Sequence, residues 1–180
     1  MGNFFLRIAG AAALDAGTYE DVEADQTATP QALLVILFAS LAAGLGASGW
    51  RSDVASALTV SAFAAAIALL AWLCWALLTF EIGARLLPEP QTRTSFGELL
   101  RTLGFAAAPG FLQVFAAMPG MTVPVYSITA VWMLAAMVVA VRQALDYRHT
   151  SRAVAVCALA GLLALVMAFA LGVLFGPTVS

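Results

Sequence analysis

Apolar residues in this chain form long uncharged blocks, and the ionisable residues are gathered between them. Gln26 to Trp50 is 25 residues without a charge, Val54 to Phe80 is 27, and Ala153 to Ser180 is 28. A bilayer crossing needs about 20 mostly apolar residues, so each block predicts one transmembrane helix. The block from Thr102 to Val141 holds 40 residues. As a single helix it would be about 60 Å long, roughly twice the hydrocarbon core, so it must turn back. Met118-Pro119-Gly120-Met121-Thr122-Val123-Pro124 supplies the break, because proline removes a helical donor and glycine permits the turn. Two full crossings are expected there, since each half approaches crossing length, although a re-entrant hairpin would satisfy the same pattern. The fold class is therefore an all-α polytopic bundle of five spans, at about 31–50, 54–80, 102–118, 122–142 and 153–175.

Local signals mark the span ends. Thr29-Pro30 reads as an N-cap followed by proline at the first helical position. Trp50 and Tyr147 fall where amphipathic rings favour the headgroup layer. Pro88-Glu89-Pro90 stiffens the longest loop, and Ser95-Phe96-Gly97-Glu98-Leu99-Leu100-Arg101 reads as a capped turn running along the interface into span three. Residues 1–29 form a separate segment ahead of the membrane domain at 30–180. Arg7 interrupts its apolar start, which argues against a signal peptide, and Leu6 stands where a myristoylation motif needs Ser or Thr. The reading is a short interfacial helix and an acidic connector, with Tyr19 and Val22 as a weak apolar face.

Composition agrees: 63% of residues are hydrophobic and 10% charged, too few charges to cover a water-facing surface. The inventory is eight Arg, no Lys, five Asp, five Glu and one His, net −2. Such a balance provides no global field for nucleic acid, so no nucleic-acid partner is expected. With the N-terminus cytoplasmic, that side receives Arg7, Arg85, Arg93, Arg101, Arg142, Arg148 and Arg152, and the other side Arg51 alone. This bias follows the positive-inside rule and leaves the C-terminus outside. The acidic residues Asp15, Glu20, Asp21, Glu23 and Asp25 provide a docking surface for those arginines or for a basic partner, without the glycine turn of a calcium loop.

Candidate functional positions are few. Ala160, Ala164, Ala168 and Gly172 repeat every four residues on span five, with Gly161 beside them, and Ser40, Gly44 and Ser48 do so on span one. Small residues allow close helix approach, for packing within the chain or against a partner or second copy. Pro109 and Gly110 predict a kink in span three. Gln113, one turn on, is the most polar side chain in any span, able to bond a neighbouring helix or line a small polar cavity. No span interior carries an ionisable residue, which argues against a pump or ion-coupled transporter. Glu81–Arg85 and Arg142–Asp146 have the i,i+4 spacing of helical ion pairs. His149 lacks ligand partners, and Cys74 and Cys157 read as small hydrophobes. No catalytic, metal or cofactor motif occurs, so neither an enzyme nor a cofactor is expected.

Several stretches resemble the bacterial branch of the Yip family, five-span Ypt-interacting membrane proteins with a cytoplasmic N-terminus. They are Tyr19-Glu20-Asp21-Val22-Glu23-Ala24-Asp25 through Thr29-Pro30-Gln31-Ala32, Arg101-Thr102-Leu103-Gly104-Phe105-Ala106 with Pro109, and Trp132 with Val141-Arg142-Gln143-Ala144-Leu145. The likeness covers roughly residues 10 to 175. It implies a non-enzymatic protein that organises membrane proteins or lipids through helix packing and the basic cytoplasmic face of Arg85, Arg93, Arg101, Arg142, Arg148 and Arg152. The Asp-Leu-Tyr-Gly-Pro signature of GTPase-linked relatives is absent, so GTPase binding is not carried over. The alanine-rich, lysine-free composition points to a bacterial inner membrane. An accessory subunit of a larger membrane complex and a small transporter centred on Gln113 are the alternatives. The expected partners are the lipid bilayer and other membrane proteins or a second copy.

Overall fold

The structure, a computed structural model, describes residues 2–48 and 54–175, and the side chains of 3–47, 58–59, 61–63, 65–67 and 69–167. The expected outer loop, with Trp50 and Arg51, lies outside the described residues. Two helices, α1 (Gly2–Ala12) and α2 (Ala16–Ala24), precede five others: α3 (Thr29–Ser48), α4 (Val54–Phe80), α5 (Phe96–Ala106), α6 (Thr122–Ala144) and α7 (Thr150–Phe175). Three-residue 3₁₀ turn Gln26–Ala28 leads into α3, a π-helical stretch Glu81–Leu86 extends α4, and a 3₁₀ stretch Ala108–Ala117 extends α5. Among the described residues, five helical segments are long and apolar enough to cross a membrane.

Close contacts fix their relative directions. Ala32 faces Gly104 and Ala39 faces Gly110, so α3 and α5 run parallel. Gly110 against Met133 and Gln113 against Thr129 make α6 antiparallel to α5. Gly83 against Val156 and Gly161 against Trp75 make α7 antiparallel to α4. Gly44 against Ser61 and Ser40 beside Trp72 make α4 antiparallel to α3, so the five segments alternate in direction. The Phe96–Ala117 stretch is the centre of the bundle, with 67% of its apolar window buried against 19–44% in the others. Around it, Leu33, Phe38, Leu70, Val131 and Leu165 turn outward, as residues facing lipid do.

The third crossing differs from the expected 102–118. Its helix begins at Phe96, where Ser95 and Glu98 close a capping box, so the capped turn and the expected span form one continuous helix as far as Ala106. Pro109 does not kink a continuous helix but ends it. It has no N–H for the Phe105 carbonyl, and the backbone tightens into 3₁₀ geometry. A 3₁₀ helix rises about 2.0 Å per residue against 1.5 Å, so the two parts together reach about 36 Å. Twenty-odd residues therefore suffice for the crossing despite the break.

The start of α3 is built differently from the simple cap expected. Thr29 is itself helical (φ −55°, ψ −49°), and the cap lies further back at Asp25, whose carboxylate accepts the Thr27 N–H at 2.9 Å. At the end of α6, Tyr147 N–H bonds the Arg142 carbonyl at 2.9 Å and Asp146 N–H the Gln143 carbonyl at 2.9 Å, a Schellman motif with Asp146 at φ +52°. This left-handed turn ends the helix before Asp146, so the expected Arg142–Asp146 pair does not form. The same motif ends α1, with Asp15 N–H on Gly10, Leu14 N–H on Ala11, and Leu14 at φ +63°.

Candidate functional site

Sequence reasoning placed the acidic N-terminal segment outside the membrane domain as a connector. Tyr19, Val22 and Ala11 are instead fully buried in the core shared with Leu99, Leu103 and Val141. Polar bonds complete the docking. Arg7 on α1 donates from Nε to Asp21 at 2.9 Å, from Nη2 to Asp25 at 2.8 Å and from Nη1 to Gln31 at 3.2 Å. One guanidinium therefore ties α1 to α2, to the 3₁₀ turn and to α3. Its side chain is only 10% exposed. Burial alone would favour its neutral form, but hydrogen bonds and charges from Asp25 and Asp21 hold its pKa above the ordinary value.

Arg101 was expected on an exposed basic face and is instead buried. It donates from Nε to the Val22 carbonyl at 3.3 Å and from Nη2 to the Glu23 carbonyl at 2.6 Å. These are carbonyls of the last turn of α2, which lack helical partners and sit at the negative end of the helix dipole. Its place in α5, four residues after Gly97 and facing α2, is what turns a loop arginine into a structural one. From α6, Trp132 donates to the Ala12 carbonyl at 2.7 Å and Gln143 to Glu20 at 2.7 Å. The docking of α1 and α2 is thus held from α3, α5 and α6.

Docking gathers like charges. Glu20, Glu23, Gln26, Arg93, Glu98 and Arg101 line a cleft of about 230 Å³. Burial, and then the negative charges of Asp146, Glu98 and Glu20, lift the Glu23 carboxyl to about 7 against the pull of Arg101. Opposite α2, Tyr147 is also not the headgroup anchor expected. It is 3% exposed, with its hydroxyl 2.8 Å from the Gly83 carbonyl and 3.0 Å from that of Leu87. The π-helical stretch frees those carbonyls, and the single hydroxyl proton serves one or the other.

The six arginines expected to form a basic face have unlike surroundings. Arg85 pairs with Glu81 at 2.8 Å, over the Phe80 ring. Arg152 pairs with Glu89 at 3.2 Å and stands 5.9 Å from the centre of the Tyr147 ring. Burial would raise Glu89, but bonds from Arg148 N–H, Arg152 and Gln91 outweigh it and hold the carboxyl below its ordinary range. Arg93, Arg142 and Arg148 are exposed and, among the described residues, have no carboxylate partner. His149 is exposed beside Glu89 and Arg152.

Midway through the bundle, Ser40 and Gln113, two candidates from separate spans, line one cavity of about 80 Å³ with Ile36, Ala39, Trp72 and Met133. Gln113 Nε2 donates to Thr129 Oγ at 3.2 Å, and the Thr129 hydroxyl donates onward to the Val125 carbonyl at 2.8 Å. Nearby, Tyr126 donates to the Ala43 carbonyl at 2.7 Å. The wall is mostly apolar, with Ser40 and Gln113 as its polar side chains beside the Trp72 indole, and it contains no ionisable group. The site lies where Pro109 and Gly110 convert α5 to 3₁₀ geometry, with Gly110 packed on Ala39 and Met133.

Three of the described small residues of the ladders, Ser40, Gly44 and Ala160, are buried within the chain. Gly44 faces the backbone of Ser61 so closely that a Cβ would collide with it. Ala164 is half-buried. The side chains of Ser48, Ala168 and Gly172 lie outside the described residues. Among the described residues, no group of three or more His, Cys, Asp or Glu is placed to hold a metal ion. A family model described as the Yip1 domain matches residues 16–171. No curated protein and no solved structure matches the chain.

Proposed function

The chain belongs to the Yip1 domain family, and from that premise we propose that it is a non-enzymatic organiser of the bacterial inner membrane, gathering other membrane proteins or lipids. The observation that carries this reading is the rigid polar platform at the arginine-bearing end. There α1 and α2 are locked by Arg7 and Arg101, while Arg93, Arg142 and Arg148 remain exposed with no carboxylate partner among the described residues. A fixed platform with unsatisfied cations presents a preformed surface to anionic groups, at little ordering cost. The positive-inside rule assigns this end to the cytoplasm and the C-terminus to the outside.

Affinity purification of the tagged protein in mild detergent, followed by native mass spectrometry, tests the proposal. Recovery of membrane proteins with wild type, reduced for the triple variant Arg93→Gln, Arg142→Gln, Arg148→Gln, is the expected result. A fixed stoichiometry with larger subunits would make the protein an accessory subunit. Recovery unchanged by the triple variant would sink the platform as the contact. The transporter alternative has only the cavity of about 80 Å³ at Gln113 to support it, and no ionisable group lines that space.

A further inference from the structure

A groove of about 580 Å³ runs along the outer surface between α6 and α7, and its wall is almost wholly apolar. Leu134 and Val138 form one side, Val154, Ala158 and Gly161 the other, and Trp75 of α4 the floor. Its depth comes from Gly161, where a Cβ would stand 2.8 Å from the Trp75 ring. From Val154 to Leu165 is twelve residues, about 16 Å of helix, or about half of a 30 Å hydrocarbon core. A partner helix crossing the membrane would need contact along the full thickness. A groove of half that length fits the chain of a lipid in one leaflet.

The identity of the leaflet and of the headgroup follows from the open end. Leu134, Val138 and Arg142 are spaced four apart on α6, so Arg142 stands one turn beyond the apolar wall. Its Nε lies 3.4 Å from the Tyr147 carbonyl, which turns the guanidinium toward the connection that starts α7. Arg148 is exposed in that same connection. Asp146 is the one carboxylate between them, and Glu89 is already engaged by Arg152. Glu20 reaches this end only through Gln143, so Arg142 and Arg148 meet the opening of the groove with no carboxylate partner among the described residues.

We propose that this groove binds one anionic phospholipid from the leaflet at the arginine-bearing end, with an acyl chain along Gly161 and Trp75 and the phosphate on Arg142 and Arg148. The inference rests on the membrane-organising reading for its purpose, but its test uses a different readout. Purified full-length protein is exchanged into micelles doped with phosphatidylglycerol or phosphatidylcholine of identical chains, and retained lipids are counted by native mass spectrometry.

Wild type is expected to retain one phosphatidylglycerol in preference to phosphatidylcholine. Arg142→Gln lowers that preference about tenfold, the loss expected for one charge-assisted contact. Ala158→Phe and, separately, Leu162→Trp fill the groove from exposed positions and abolish retention of both lipids. Val131→Phe, at a lipid-facing position outside the groove, leaves retention unchanged. Wild-type retention in Arg142→Gln and in both filling variants would overturn the site and leave an unselective lipid annulus. If partners still co-purify in that case, the organising reading survives. If the lipid is retained selectively but no partner or platform effect is found, the site stands and that reading fails.

Discussion

The hydroxyl of Tyr147 stands 2.8 Å from the Gly83 carbonyl, joining the connection between α6 and α7 to the π-helical end of α4. Gly83 packs so closely against the buried side chain of Leu145 that a Cβ would force that side chain to shift, so a tight side-chain contact and the tyrosine clamp coincide at one residue. Tyr147→Phe retains the ring and leaves a buried carbonyl without its donor. The expected cost is about 1–2 kcal/mol, read as a lower unfolding midpoint in detergent. Gly83→Ala should lower the midpoint too, because the Leu145 side chain must shift within a packed core. A wild-type midpoint in Tyr147→Phe would mean that the hydroxyl contributes nothing.

Arg7 is the cation on which the N-terminal helices converge, so Arg7→Gln should loosen α1 and α2 while leaving α3 to α7 intact. Faster amide hydrogen exchange across residues 2–25, with unchanged exchange in α6, is the expected pattern. Acid should act similarly. Hydrogen bonds from Thr27 and Arg7 hold the Asp25 carboxyl below its ordinary range. A lowered carboxyl stabilises the fold above its unfolded value and ceases to do so as pH falls through the folded one. Protection at α1 should therefore fade below about pH 4.

Glu23 acts in the opposite sense. Its folded carboxyl titrates near 7 against an ordinary 4.5, so the folded protein binds the extra proton between those values. Stability from this group is complete below about pH 4.5 and is lost as pH rises through 7. Glu23→Gln should flatten that slope and strengthen docking of α2 at pH 8. After screening of a half-exposed group is allowed for, the gain is on the order of 1 kcal/mol. Thermal unfolding of both proteins at pH 5 and 8 checks the sign, since a gain confined to pH 5 would contradict it.

Asp146 occupies the left-handed position of a Schellman motif, where glycine is free of steric cost. Asp146→Gly should raise stability by about 1 kcal/mol through the backbone and also remove a charge that lifts Glu23. The Glu23 titration, followed by carbon-13 chemical shift, should move toward lower pH in this variant. An unmoved titration would separate the two effects.

Gln113 and Thr129 hold the 3₁₀ stretch against α6 across the middle of the bundle. Thr129→Val keeps the shape and removes the acceptor, leaving the Gln113 amide with the Met133 sulfur at 3.8 Å as its described partner. The expected loss is about 1 kcal/mol. Gln113→Leu, which replaces the amide by an apolar group, should cost less than Thr129→Val if the cavity is structural. A solute-flux assay with Gln113→Leu separately tests the transport alternative.

Much of the architecture was written in the spacing of charges. The block lengths, the proline and glycine break at 118–124 and the reach of α4 over Val54–Phe80 need only the thickness of a bilayer and the rise of a helix. The same reasoning misplaced Arg101 and Tyr147. Each lies in a segment whose composition is that of a solvated loop or an amphipathic end, and polar residues there satisfy a surface or a buried carbonyl equally well. Sequence carried one usable clue, the Ser95–Glu98 capping pattern, which marks a helix start six residues before the uncharged block begins.

By itself, the sequence determined that this chain crosses a membrane as alternating apolar helices, because hydrocarbon forbids unpaired backbone and excludes charge regardless of what lies beside each helix. Only the tertiary structure decided which polar groups meet. Arg7 with Asp21 and Asp25, Arg101 with the end of α2, Tyr147 with Gly83, and Ser40 with Gln113 are pairs far apart in the chain. Their partners depend on helix rotation and depth, set by contacts such as Gly44 on Ser61 and Gly161 on Trp75. A hydrophobic pattern nearly uniform around each span carries little information about that rotation. The division follows from the solvent: lipid selects for apolar length from outside, whereas close packing of small residues inside selects the faces.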